Sequence, residues 1–334
     1  MIQIGIIGYG YWGPNLVRNF YGQKHCNIRA VADSRPDRLQ ILSQLYPSIK
    51  QFSDGNDIIN DPAIDAVIIS TPVFSHFILA QKALMNGKHV LLEKPMASTV
   101  NECEILIELA LKKNRVLMVD HTFLYTGAIE KIKEIMGAEI LGNIRYLDST
   151  RINLGLFQPD INVLWDLAPH DLSILRYLYD EEPYSVNATG ISHTLNGFEN
   201  IAYLTINYSS GFIAHFNCSW TSPVKVRMML IGGDKKMIIY NDVEPTEKVK
   251  IYDTAYQVKT DEEKNQILVD YRVGDIFVPK LNNTEALASV ANDFLNSIQE
   301  CKLPRSSYKI GIDIIKILEA SDKSLKHKGS EVII

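Results

Sequence analysis

An α/β fold in two parts is predicted, a doubly wound parallel sheet over residues 1–120 followed by an α/β domain with a mostly antiparallel open sheet over 121–334. Three observations predict it. The opening stretch MIQIGIIGYGYWG joins a short β-branched run directly to a cluster of glycines. Apolar runs then alternate with helix-like stretches as far as Asp120, and after that several short β-rich runs follow one another with only turns between them.

Ile2, Ile4, Ile6 and Ile7 suit a parallel strand buried on both faces. Gly8-Tyr9-Gly10-Tyr11-Trp12-Gly13 then reads G-x-G-x-x-G: Gly8 for a tight turn, Gly10 for close approach of a pyrophosphate, Gly13 for packing of the next helix on the strand. That helix starts near Pro14 and covers Asn15 to Tyr21, so the phosphate would sit on its N-terminus. A second apolar run, Ile28 to Ala32, ends in Asp33, roughly twenty residues on, where a carboxylate meets the adenosine ribose. The order of strand, glycine turn, helix, strand and acid is that of a dinucleotide-binding Rossmann unit. Asp33 favours NAD over NADP, because its charge repels a 2′-phosphate, although Ser34 and Arg35 beside it are suited to forming a phosphate pocket.

The alternation continues. A helix is expected from Pro36 to Leu45, a strand over Asp65 to Ser70, a turn at Thr71-Pro72 and a helix from Ser75 to Met85 closed by Asn86-Gly87. The strand Lys88 to Leu92 runs straight into Glu93-Lys94-Pro95, a charged pair at a strand end, where α/β folds place their chemistry. A helix from Thr99 to Lys113 and a strand from Arg115 to Val119 complete the pattern. Beyond Asp120 come a helix from about Gly127 to Met136, the stretch Asn143 to Asn153, an irregular loop, and a helix opening at Trp165-Asp166-Leu167-Ala168-Pro169-His170-Asp171 and reaching about Tyr179. The β-rich runs are Ala202 to Ser209, Phe212 to Cys218, Val226 to Gly232 and Lys236 to Tyr240, and helices from Glu285 to Glu300 and Tyr308 to His327 finish the chain.

With 334 residues, 46% hydrophobic and 22% charged, the chain has the composition of an ordinary globular protein with room for two cores. A net charge of -5 argues against a general partner among nucleic acids or membrane surfaces. The four cysteines are far apart and form no C-x-x-C pair, so neither a metal site nor a disulfide framework is expected. No basic stretch precedes the first apolar run and no run approaches a membrane span, so a soluble cytoplasmic protein is expected.

The glycine motif, Thr71-Pro72 with His76 following, Glu93-Lys94-Pro95, and Asp166 with His170 four residues later together resemble the Gfo/Idh/MocA family of NAD(P)-dependent oxidoreductases. The resemblance implies a cofactor set of Gly8, Gly10, Tyr11, Trp12, Gly13, Asp33, Ser34, Thr71, Pro72, His76, Glu93 and Lys94, with Glu93 at the cofactor ribose. It implies Lys94 as active-site lysine, Asp166 as substrate-contacting carboxylate and His170 as proton-transfer group. It also implies oxidation or reduction of a sugar-like secondary alcohol, and dimers or tetramers formed through the sheet of the second domain. The stretch Asn162 to Asp171 is most similar to members from surface-polysaccharide and nucleotide-sugar pathways, and departs from the glycine-rich form of inositol dehydrogenases.

Hydride transfer from an alcohol needs a base for the hydroxyl proton and a donor near the developing alkoxide. His170 suits the first role; a place in the first helical turn would disfavour its imidazolium and Asp166 or Asp171 would favour it. Lys94 suits the second, or acts as base if its charge is disfavoured. Asp166 is equally suited to cap the helix. His121, Tyr125, Arg151 and Asn153 lie on segments expected to border the substrate, the last two meeting sugar hydroxyls or a diphosphate, with a core position for Tyr125 and a surface strand position for Arg151 as the plainer alternatives. A free sugar or cyclitol dehydrogenase with the same residues, and a non-catalytic dinucleotide-binding sensor on the same fold, are the competing functions.

Overall fold

The computed structural model describes residues 1–155, 157–257 and 270–334. The chain divides into two compact units, Met1–Thr126 with Thr284–Lys316, and Gly127–Asn283 with Ile317–Ile334. The change of structure lies six residues beyond the expected boundary at 120. The larger difference is that residues 284–316 belong with the nucleotide-binding unit.

The first unit is built on β1 (Ile2–Ile7), β2 (Cys26–Ala32), β3 (Lys50–Phe52), β4 (Ala66–Ile69), β5 (His89–Glu93) and β6 (Leu117–Asp120), all parallel in the order β3-β2-β1-β4-β5-β6. This is the Rossmann order, with its switch point between β1 and β4. Ile4, Ile6, Val67 and Leu91 are fully buried, as strands covered on both sides require. After the first and second expected strands comes β3, which carries no sequence signal because its three residues include an exposed lysine and no apolar period.

The helices are α1 (Gly13–Tyr21), α2 (Pro36–Leu45), α3 (Gly55–Asn60), α4 (His76–Met85) and α5 (Val100–Lys113). At the start of α5, Thr99 accepts from the Glu102 N–H while Glu102 reaches back to the Ser98 N–H, so two terminal donors are satisfied together. Helix α8 (Ala286–Glu300) and the first half of α9 (Tyr308–Lys326) join this unit through specific contacts. Arg18 forks onto Glu285, the rings of Phe20 and Phe294 meet edge-on at 6.3 Å, and the Val119 N–H donates to the Ser306 carbonyl.

In the second unit, α6 (Gly127–Gly137) precedes β7 (Ile144–Ile152), and α7 (Val163–Leu178) precedes β8 (Ser185–Ile191), β9 (Ile201–Asn207), β10 (Ile213–Ser219), β11 (Val226–Gly233), β12 (Met237–Asn241), β13 (Val249–Gln257) and β14 (Asp270–Phe277). With β15 (Val332–Ile333) they form one sheet, β14-β13-β12-β11-β7-β10-β9-β8-β15, antiparallel except where β10 lies parallel to β7. The mostly antiparallel second sheet expected from the short β-rich runs is therefore present. No helix among the described residues is long and apolar enough to cross a membrane.

Candidate active site

Two of the three glycines of the turn stand where a side chain would clash with backbone. Gly8 has φ +100, and a Cβ there would lie 2.2 Å from the Ser70 carbonyl oxygen; a Cβ on Gly13 would lie 2.4 Å from the Gly8 oxygen, where α1 packs against the strand end. A Cβ on Gly10 would meet nothing but the end of the Arg35 side chain, so the loop keeps open space where a pyrophosphate would approach. Tyr11 projects from this loop at 93% exposure, and Trp12 lies half-buried at the start of α1, its indole N–H directed at Asp120 at 3.4 Å.

Asp33 is buried, and its carboxylate accepts from the Tyr9 N–H at 2.7 Å and from the backbone and guanidinium of Arg35 at 2.9 to 3.1 Å. Burial alone would raise its pKa, but the bonds to Arg35 and Tyr9 outweigh it and hold the group below the usual carboxylate range. Arg35 is half-exposed, so its pair with Asp33 is screened by solvent and costs little to open. Ser34 is exposed beside them.

Thr71 bonds Ser75 at 2.6 Å in the turn after β4, with Pro72 exposed. His76 is fully buried, and its two ring nitrogens lie 2.8 Å from the carbonyls of Pro95 and Thr71; the neutral ring donates to one of the two and packs between the loops after β4 and β5.

Lys94 stands half-buried at the end of β5, joined to Pro95 by a cis peptide. Glu93 and Asp120 are register partners on β5 and β6. Burial and the neighbouring Asp120 push Glu93 well above the usual carboxylate range, and burial raises Asp120 as well. Asp120 receives Thr122 at 2.6 Å and Trp12, whereas Oε1 of Glu93 has no hydrogen-bond partner among the described residues, so the proton of the pair belongs on Glu93. His121 follows at once, fully buried, with neither ring nitrogen bonded among the described residues; burial and Lys94 hold its pKa down at about 3. It is a neutral hydrogen-bonding group at any physiological pH.

Tyr125 does not present its hydroxyl to a substrate. The O–H donates to Asp293 at 2.7 Å and accepts from the Ser306 N–H at 3.1 Å, with the Arg305 guanidinium 4.7 Å from its ring centre. The core alternative applies, and the residue anchors the 284–316 segment.

In the second unit, α7 begins two residues before the expected Trp165. Asn162 is the cap, accepting from the N–H groups of Leu164 and Trp165, and its amide donates to Asp322, which also receives the Trp165 indole N–H. Asp166 therefore lies in the first turn, Pro169 inside the helix, and His170 one turn beyond Asp166 on the same face, too far in for the helix N-terminus to govern its charge. Both are half-buried. The Trp220 indole donates to Asp166 Oδ2 at 2.9 Å.

Arg151 is no surface residue: at 3% exposure its guanidinium grips Asp171 in a two-bonded fork at 2.8 and 2.6 Å, a pair that joins β7 to α7. Asn153 is half-buried where β7 ends, its backbone bonded to Ser219. Trp220 and Asp322 carry no sequence signal, because their partners are far away in the chain; Asn162 carries one, as a cap residue before an apolar run. No cluster of metal ligands occurs among the described residues.

Residues 2–121 match the model for the oxidoreductase family with an NAD-binding Rossmann fold, and residues 129–239 match the Gfo/Idh/MocA C-terminal domain. The chain belongs to the Gfo/Idh/MocA family. It is thus an NAD(P)-dependent oxidoreductase, and the open Gly10 loop and the Asp33 carboxylate fit a dinucleotide cofactor. Similar proteins include UDP-N-acetylglucosamine 3-dehydrogenase of Acidithiobacillus ferrooxidans, 28% identical over 236 residues that cover 69% of this chain and 71% of that one. Another is the NADP(+)-dependent scyllo-inositol 2-dehydrogenase of Bacillus subtilis, 25% identical over 98% of this chain and 94% of that one. Among solved structures, a levoglucosan dehydrogenase in complex with NADH and L-sorbose shares the fold with a TM-score of 0.84 at 19% identity, covering 100% of this chain and 99% of that one.

Proposed function

We propose that this oxidoreductase transfers a hydride between NAD and a ring secondary alcohol or ketone of a sugar, with a nucleotide-linked sugar as substrate. The observation that carries the reading is Asp166 and His170, both half-buried and one turn apart on the same face of α7. NAD, when bound, supplies the hydride acceptor. His170 takes the hydroxyl proton, Lys94 donates to the oxygen as its charge develops, and Asp166 accepts a hydrogen bond from the substrate. Gly8, Gly10 and the N-terminus of α1 hold the pyrophosphate and Asp33 the ribose, so NAD is preferred over NADP.

A nucleotide-linked substrate is supported by the UDP-N-acetylglucosamine 3-dehydrogenase likeness and by the form of the Asn162 to Asp171 stretch. A free sugar or inositol is favoured by a different observation: Arg151, which would have met a diphosphate, is engaged by Asp171. Calorimetry and NADH formation with UDP- and dTDP-sugars beside free hexoses and inositols, each with NAD and NADP, decide between them. Tighter binding of nucleotide sugars is expected; equal or better binding of the free compounds, or preference for NADP, contradicts the corresponding part. The same reading includes homodimers or tetramers through the exposed face of the second sheet, where Tyr203, Thr205, Ile213 and His215 lie side by side on β9 and β10, and light scattering would read one chain mass if it is wrong.

A further inference from the structure

Trp220 leaves β10 into the interior of the second unit and is 2% exposed. Its backbone is fixed on two sides, the N–H donating to the Asn200 carbonyl at 3.0 Å and the carbonyl accepting from the Gly155 N–H at 3.1 Å. A buried indole N–H needs an acceptor, and a backbone carbonyl would satisfy it. Here it donates instead to the carboxylate of Asp166, at 2.9 Å, in the first turn of α7. A bond to a charged oxygen is stronger than one to a neutral group and fixes the side-chain rotamer. The Phe157 ring lies 5.5 Å from that of Trp220, tilted by 51°, and is 41% exposed. Gly155 permits this approach, since a Cβ there would come within 2.7 Å of the Asn153 amide and 3.4 Å of the Trp220 ring.

We propose that Trp220 is a positioning residue for Asp166, and that Phe157, backed by Trp220, is the aromatic wall that receives the apolar face of a sugar ring. The proposal rests on the reading of Asp166 as the carboxylate that meets the substrate. A pyranose turns polarised C–H groups to one side, which suits the electron-rich face of an aromatic ring, while its hydroxyls meet a carboxylate held in one orientation. Trp220 thereby links the two surfaces: one side chain supports the wall and aims the acceptor.

Two measurements test this. In an indole ¹H–¹⁵N spectrum of the whole protein, the Trp220 signal, identified by its loss in Trp220→Phe, should shift in Asp166→Asn and exchange with solvent at least about tenfold faster, because the charged acceptor is gone. In a double-mutant cycle with UDP-N-acetylglucosamine and scyllo-inositol as probes, Trp220→Phe should lower kcat/KM about tenfold in the wild-type background and have almost no effect in Asp166→Asn, since it acts through that carboxylate. NADH affinity should stay within about twofold in both. Phe157→Leu should raise KM with kcat preserved, and Phe157→Trp should restore it. If Trp220→Phe is too unstable to isolate, benzothienylalanine at 220 keeps the ring and removes only the N–H. An unmoved indole signal, or additive effects in the cycle, overturns the proposal; an Asp166→Asn enzyme of full activity on either probe overturns the functional reading beneath it instead.

Discussion

Arg151 and Asp171 illustrate how a charged residue in a promising place can belong to the framework. A buried fork whose partners are both nearly inaccessible costs little while intact, but removing one side leaves the other charge without compensation, about 3–5 kcal/mol in comparable cases. Arg151→Met is therefore expected to lower the unfolding free energy by about 3 kcal/mol in urea titrations while changing the substrate KM less than about twofold. A large rise in KM with stability unchanged would return Arg151 to the substrate. Tyr125 and His76 follow the same logic. Their residue types suit a site, but the Tyr125 hydroxyl is held by Asp293, 168 positions away, and the buried His76 ring lies between two backbone carbonyls and donates to one of them. Such partners are invisible in a sequence, because only the fold brings them within bonding distance.

At the scale of elements, α7 carries the chemistry assigned to the second unit, and its start is set by Asn162. Asn162→Ala removes the acceptor of two N–H groups and a bond to Asp322, and is expected to cost about 1 kcal/mol, a fall in Tm of about 2–4 °C. An unchanged Tm would mean that the helix end is held by Asp322 and Trp165 alone. The sequence presents Asn162-Val163-Leu164-Trp165 as an apolar continuation of the loop and opens the helix at Trp165 with Pro169 in its first turn, whereas Asn162 caps a helix that holds Pro169 in its interior. By contrast β1, α1 and β2 were legible almost to the residue, because a β-branched run, a glycine turn and a terminal acid each impose their own local geometry. β3 and β15 were not, since a strand of two or three residues exists only through its neighbours.

Over the whole molecule, two fully buried histidines and the half-buried His89 contribute to the response to acid. Burial and Arg115 hold His89 down at about 4, where the Val116 N–H donates to its Nδ1 and requires the neutral ring; burial and Lys94 hold His121 at about 3; burial lowers His76. Each has its ordinary value near 6.5 in the unfolded chain, so the unfolded state binds more protons, and the stability they contribute is complete above pH 6.5 and lost as pH falls toward 4 and below. Glu93 has the opposite sign, since its raised value favours the folded state as pH falls. Comparing Tm at pH 7.5 and 5 in wild type and His89→Gln isolates one histidine: the wild type should lose several degrees and the variant fewer, by about 1–2 kcal/mol after allowance for the partial exposure of His89. Equal losses would refute the assignment. The division of the chain was legible only in part for a related reason: residues 284–316 join the first unit through contacts such as Arg18 with Glu285, which no local pattern announces.

The central claim is that His170 moves the proton while the nucleotide-binding unit holds the cofactor independently of it. The pH profile of kcat/KM for substrate oxidation, measured in wild type and His170→Asn together with NADH affinity, tests it most directly. A fall in kcat of about 10² to 10⁴, loss of the rising limb and NADH binding within about twofold of wild type are predicted. A His170→Asn enzyme with near-normal kcat and an unchanged limb would contradict the account and move the base role to Lys94.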